Sequence, residues 1–240
     1  MLQNFDTYLI FKITGILIFI LLGAISCRTN GVTLKKSLLV TILTVIAGYF
    51  GSTFWYIIQH LYGKDPYERG DFAFMMDSAG SVLYGWILAG TTCVWFLTKA
   101  LKIDTRKILD ALVPWLLVAQ ILNRFGCFAG ECCYGRPSQV FWGVYNSYAS
   151  ARVHPVQLYE AFLDSILLIL VLRQPKELSG RRTLIYFIGY SVGRFFLEFF
   201  RGDNQPAALG LTVPQMTSVV IFLCAILFLW NFFQAKRKYN

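Results

Sequence analysis

Charge is what this chain has least of. Asp, Glu, Lys and Arg make up 15% of its 240 residues, against 56% hydrophobic and 17% aromatic side chains. A soluble domain of this length needs a far more polar surface, so a water-soluble fold is excluded. Histidine occurs only twice, and His60, alone beside an apolar run, reads as structural. Met1–Tyr8 lacks the positive flank of a cleavable leader, and the apolar run that follows is of full span length, so no leader is expected. No internal repeat, linker or low-complexity segment divides the chain, which reads as one integral-membrane domain over residues 1–240.

What is present in quantity is apolar sequence in long runs. Seven stretches are expected to cross a bilayer: Tyr8–Ser26, Leu38–Gln59, Ala79–Leu97, Ile108–Asn123, His154–Leu172, Leu184–Phe200 and Val213–Phe233. The fourth is short and carries Pro114. The fold class is therefore all-α, a polytopic bundle of about seven transmembrane helices. The net charge of +9 suggests nucleic acid at first sight, but its distribution indicates topology instead. Basic residues cluster in alternate loops: Arg28, Lys35 and Lys36; Lys99, Lys102, Arg106 and Lys107; Arg173, Lys176, Arg181 and Arg182; and Lys236, Arg237 and Lys238. The positive-inside rule makes these loops cytoplasmic. The N-terminus then lies outside and the C-terminus inside. The Tyr62–Ser78 loop, with Asp65, Glu68, Asp71 and Asp77 against Lys64 and Arg69, falls on the outer side.

The few charges inside the spans carry the most information. A charge at the centre of a span costs about 3 kcal/mol or more, so it faces protein or water and takes a partner. Arg194, Glu198 and Arg201 are spaced i, i+4, i+7 and share one helix face. A structural Arg–Glu pair accounts for two of them; two arginines against one glutamate leave a positive charge that suits an anion. Arg124 ends the fourth span, His154 and Glu160 open the fifth, and Tyr84 lies in the outer half of the third. All these groups converge on the outer side. Pro155 suits a first helical position with His154 near the cap, which would aim free N–H groups at the same cavity. Thr212-Val-Pro-Gln215 has capping-box spacing and starts another helix from that side.

Glycines crowd the segment after Arg124, at Gly126, Gly130, Gly135 and Gly143, where they permit close backbone approach to a ligand. Gly189 and Gly193 in the sixth span read as helix-packing positions. Of the six cysteines, Cys27, Cys93 and Cys224 read as small hydrophobes. Cys127, Cys132 and Cys133 stand apart, and three readings remain open for them. They are a disulfide, a metal site with His154 as a fourth ligand, or a reactive thiol activated by Arg124 and Arg136.

Arg124-x-Gly126-x-Phe128 with Gly135, His154-Pro-x-Gln-Leu-Tyr-Glu160, and Arg194-Phe-x-x-Glu198-x-x-Arg201 together resemble the prolipoprotein diacylglyceryl transferases of bacterial inner membranes. The resemblance runs from about Ala79 to the C-terminus. It implies a seven-span enzyme of the bacterial cytoplasmic membrane with its site toward the outer leaflet. Such an enzyme moves the diacylglyceryl group of phosphatidylglycerol to a cysteine thiol and releases glycerol phosphate. The acceptor is a protein presented at the outer leaflet. No cofactor, metal or nucleic acid is implied.

Residue by residue, the resemblance assigns the lipid phosphate to Arg124 and Arg194. Arg201, Gly126, Gly135, Gln157, Tyr159 and Glu160 line the same substrate site. His154, Glu131, Glu198, Tyr84, Cys127 and Cys132 are the catalytic candidates, with His154, Glu131 and Glu198 as possible bases. The chain departs from the family in four places. Cys127 stands where the family has Asn, Cys132 where it has Glu, one position beyond Glu131, and Tyr84 where it has the His of a His-Gly-Gly motif. Thr14 aligns with the family's early tyrosine. The phosphate-handling half is kept and the thiol-activating half is altered. The same donor with a non-lipoprotein acceptor, a non-catalytic lipid-binding protein, or a redox protein built on the thiols are the competing readings.

Overall fold

The structure, a computed structural model, describes residues 2–62, 83–175, 179–202 and 209–237, with side chains for 6–57, 83–175, 179–202 and 209–230. The His60 side chain and the acidic loop after Tyr62 lie outside the described residues. Seven helices are present among those described. They are α1 (Leu2–Thr29), α2 (Leu34–Tyr62), α3 (Leu83–Ala100), α4 (Thr105–Ala129), α5 (Val156–Leu172), α6 (Arg181–Leu197) and α7 (Val213–Arg237). A two-stranded hairpin, β1 (Val144–Asn146) and β2 (Ala151–Val153), precedes α5, and a 3₁₀ turn, Glu198–Phe200, extends α6. Five helices, α1, α2, α4, α6 and α7, are long and apolar enough to cross a membrane by length and composition. The third and fifth expected spans form α3, of 18 residues, and α5, of 17.

The fourth span is longer than the sequence suggests: α4 runs 25 residues without a break at Pro114. Proline removes one ladder bond, which in a membrane bundle neighbouring helices can absorb. Here α4 is the hub, packed against α1, α3, α5 and α6. Its residues serve two apolar cores. Ile108, Ala111 and Leu112 join Phe19 and Cys27 of α1, Val40 of α2 and Val94 of α3. Val113 and Leu117 join Tyr84 and Ile87 of α3, Leu167 of α5 and Tyr186 and Tyr190 of α6. Cys27 thus packs as a small hydrophobe. The α5–α6 contact is close because a β-carbon at Gly189 or Gly193 would strike Leu167 or Leu163.

Asp110 of α4 pins the start of α6. Its carboxylate accepts from Gly180 N at 2.7 Å, Thr183 N at 2.9 Å and the Thr183 hydroxyl at 2.6 Å. Backbone donors at a helix N-terminus have no intrahelical partners, so a buried carboxylate supplied by another helix satisfies them and favours the helix dipole. Gly180 itself has φ +90°, a left-handed turn that glycine takes without strain.

Candidate functional site

The end of the bundle opposite Asp110 gathers the C-termini of α4 and α6 with the N-termini of α3, α5 and α7. Five buried ionised side chains meet there. Arg124 Nε pairs with Glu160 Oε2. Glu160 Oε1 receives Arg194 Nη1 at 3.2 Å and Arg201 Nη1 at 3.3 Å. Arg194 Nη1 also lies 2.7 Å from Glu198 Oε2, with Arg201 Nε 3.9 Å from the same oxygen. None of the five residues is more than 7% exposed, so solvent screening is slight. Three guanidiniums against two carboxylates leave one positive charge over. Such a network attracts an anion.

Glu160, one substrate-site candidate among eight, is the carboxylate that all three arginines share. This follows from α5 packing between α4 and α6, which sequence spacing alone does not reveal. Glu198 is held from a third side by the Thr212 hydroxyl at 2.8 Å. The capping box read from Thr212 and Gln215 is formed: Thr212 N donates to Gln215 Oε1 at 3.0 Å and Gln215 N to Thr212 Oγ1 at 3.4 Å. Tyr84 bonds Ser218 of α7 at 2.5 Å, while the Ser218 hydroxyl donates to Pro214 O at 2.7 Å. Both bonds form together only if Tyr84 is the donor.

The segment after α4 is stitched across the site. Gly135 N donates to His154 O at 3.1 Å, His154 N to Arg136 O at 3.1 Å, Arg136 N to Phe200 O at 2.8 Å and Gly202 N to Tyr134 O at 3.3 Å. Arg136 Nε adds a bond to Arg201 O at 3.0 Å. A β-carbon at Gly135 would collide with His154 and Val156, the nearest contact being 2.5 Å, which accounts for the glycine. Gly126 lies against Tyr8 and Phe11 of α1.

Other candidates are placed beside this network. The helix cap expected near His154 falls on Pro155. The His154 ring turns to Tyr159, Nδ1 to hydroxyl 3.2 Å, and edge-on to Phe200. Tyr159 also accepts from Trp142 Nε1 at 2.6 Å. Glu131 anchors the hairpin turn, accepting from Ser147 N at 3.0 Å and from the Ser147 hydroxyl. Those two donors, the hydroxyl first, hold its carboxyl below the usual carboxylate range. Gln157 Nε2 donates to Cys132 O at 2.6 Å. The sulfurs of Cys127, Cys132 and Cys133 lie within 4.8 Å of one another. Cys133 is held well below the ordinary thiol range, first by its Cys127 and Cys132 neighbours and then by Arg201 and Arg124. Thr14 faces outward, and Tyr8 is the α1 tyrosine that approaches the loop.

Two further side chains belong to this end of the bundle, and the sequence signals only the first. Asp164, one turn past Glu160, is fully buried, and neither of its oxygens has a hydrogen-bond partner. An acid inside an apolar span was the signal. Ser218 carried none, since a serine at a helix start is ordinary. Two apolar spaces adjoin the site helices. One of about 90 Å³ beside Arg124 is lined by Lys12, Trp86 and Gln120. The other, about 530 Å³, lies among α2, α3, α4, α6 and α7, with Trp55, Leu88, Phe187 and Val220 on its walls.

Fold and site thus define a polytopic helical membrane protein with a buried, net-positive arginine–glutamate centre at one end. A family model described as prolipoprotein diacylglyceryl transferase matches residues 2–231, and the chain belongs to that family. Among its relatives, the phosphatidylglycerol–prolipoprotein diacylglyceryl transferase of Clostridium tetani is 31% identical over 82% of this chain and 80% of its own length. A second Clostridium protein of that name, from C. perfringens, is 32% identical over 82% of this chain and 79% of its own. One from Corynebacterium diphtheriae is 27% identical over 91% and 84%.

Proposed function

We propose that this protein is an enzyme that transfers the diacylglyceryl group of phosphatidylglycerol to a cysteine thiol of a prolipoprotein. The observation that carries the reading is the buried network in which Arg124, Arg194 and Arg201 share Glu160 and Glu198 with one positive charge over. In the reaction, the acceptor sulfur bonds to the glyceryl carbon that bears the phosphate ester, and the C–O bond to phosphate breaks. Glycerol phosphate leaves with the bonding pair. Charge grows on the departing phosphate, and preorganised guanidiniums in a water-poor site stabilise it. Arg124 and Arg194 bind that phosphate, Arg201 and Glu160 fix their forks, and Glu198 holds Arg194 from the other side. The apolar space among α2, α3, α4, α6 and α7 suits an acyl chain. Residues 1–240 act as one domain.

The acceptor thiol must also lose its proton. Tyr84, at the position of the family's histidine, has its own proton on Ser218 and is no base. His154 and Glu131 are the conventional bases that the loop after α4 offers.

The orientation belongs to the same proposal: N-terminus out, C-terminus in, and the site facing the outer leaflet of a bacterial cytoplasmic membrane. It rests on the basic residues at the opposite end of the bundle. Purified protein incubated with labelled phosphatidylglycerol and a lipobox peptide should give a diacylglyceryl peptide and glycerol phosphate. Glycerol phosphate release without peptide modification would sink the prolipoprotein acceptor; release of neither would sink the enzyme. On intact cells treated with a chelator and a reductant, an impermeant maleimide should label the Cys127–Cys133 segment. Labelling only after permeabilisation would reverse the orientation.

A further inference from the structure

We propose that Cys127, Cys132 and Cys133 form a tris-thiolate zinc site with an open fourth position, where the acceptor thiol is bound and deprotonated for transfer. The inference rests on the transferase reading above for its role in the reaction, but the metal site stands on the geometry of the thiols.

All three sulfurs lie within 4.8 Å of one another. Tetrahedral zinc with bonds of about 2.3 Å sets its sulfur ligands roughly 3.8 Å apart, so closure about an ion needs a movement on the order of 1 Å. The backbone is arranged for that convergence. Cys127 closes the last turn of α4, and Cys132 N returns to Cys127 O at 3.1 Å. Glu131 and Cys133 take left-handed backbone, φ 54° and 59°, which residues with a β-carbon seldom adopt and which tends to persist at functional positions. Gln157 fixes the Cys132 carbonyl from α5 at 2.6 Å.

A disulfide would use two of these thiols and strand the third beside two arginines; an ion uses all three. Arg124 is one helical turn from Cys127. Arg201 pairs its backbone with Gly135, two residues beyond Cys133.

The ligand count indicates a role. Structural zinc sites are closed by four protein ligands, while catalytic ones keep three and leave one place open. No fourth histidine or carboxylate joins the three sulfurs among the described residues, and His154 points to Tyr159. A thiol that enters the fourth place is deprotonated outright by the metal. The step then balances without an oxidant or reductant. The acceptor S–H binds zinc and releases its proton to water. Its sulfur attacks the glyceryl carbon, the C–O bond breaks, and glycerol phosphate departs with the electron pair toward Arg124 and Arg194. The thioether, a weaker ligand than a thiolate, leaves the metal. The site supplies the thiol activation that Tyr84 cannot.

The test uses the full chain purified in detergent under reductant. Elemental analysis should find one zinc per chain. After chelation, Co2+ should bind with a thiolate-to-metal charge-transfer band and tetrahedral visible bands. Cys127→Ser, Cys132→Ser and Cys133→Ser should each weaken Co2+ at least about tenfold, while Cys93→Ser and Cys224→Ser bind it as the wild type does. A lipobox peptide should shift the cobalt spectrum, and its serine counterpart should leave it unchanged. Wild-type protein that takes up neither zinc nor cobalt overturns the site, independently of any variant that fails to fold. So does a non-reduced preparation in which two of the three thiols resist titration. Cobalt–thiolate bands that ignore the peptide thiol overturn the activation role. Metal and peptide results that stand while no lipid is transferred count against the transferase reading and leave the metal site intact.

Discussion

The two ends of the bundle treat the same side chains in opposite ways. At one end Arg28, Lys35, Lys99, Lys102, Arg173 and Arg181 stand exposed beside short turns. At the other, Arg124, Arg194 and Arg201 are almost completely buried, and each is met by a carboxylate. An exposed cation keeps its water and needs no partner. A buried one is stable only while its partners are in place. The connections differ in the same sense. At the basic end α1 meets α2, and α3 meets α4, through turns of a few residues. The site end carries the hairpin and a loop that bonds across to α5 and α6. In the proposed reading, one end sets how the protein sits in a membrane and the other holds its chemistry.

That contrast can be broken by substitution. The largest effect is expected from Glu160→Gln, which removes the carboxylate that three guanidiniums share. Loss of a buried ion-pair partner costs about 3–5 kcal/mol. Thermal unfolding in detergent should register it, together with loss of transfer; a variant as stable as wild type would show that the arginines do not depend on Glu160.

Arg124→Gln, and separately Arg194→Lys, should leave the fold in place and lower turnover of labelled phosphatidylglycerol roughly 10²–10³-fold. Lysine fails at 194 because it lacks the planar fork that grips two oxygens. Full activity in both variants would remove these residues from the mechanism.

Asp110→Ala sharpens the comparison from the other end, since it deletes the buried acid that ties α4 to α6. A loss of about 2 kcal/mol is expected, with unchanged apparent affinity for lipid. A shift in lipid affinity without a stability change would mean the two ends are coupled. Lys99→Gln with Lys102→Gln should change stability by less than about 0.5 kcal/mol and leave turnover alone. A large loss would mean these exposed lysines have partners that their exposure does not reveal.

Much of this was legible because a bilayer penalises error. Every expected span has its helix, with ends displaced by a few residues where apolar sequence gives way to polar caps. The exception is α4, expected over Ile108–Asn123 and found over Thr105–Ala129, with Pro114 carried inside it where neighbouring helices absorb the lost ladder bond. Arg194, Glu198 and Arg201 stood out since a charge in an apolar run has few explanations. The central place of Glu160 did not, because it depends on which helices become neighbours. Asp164 carries the same signal as Arg194, an ionisable group inside an apolar run. The loop thiols were visible as a cluster, while their convergence needed the left-handed turns at Glu131 and Cys133, which no residue type announces.

The first turn of α7 also decides where protons cannot go. Gln215 N–H points to the Thr212 oxygen, whose single proton lies on Glu198. Tyr84 points to Ser218, whose single proton lies on Pro214 O. Thr212 and Ser218 have each committed their one proton, so neither hydroxyl has a hydrogen to offer a ligand while these bonds hold.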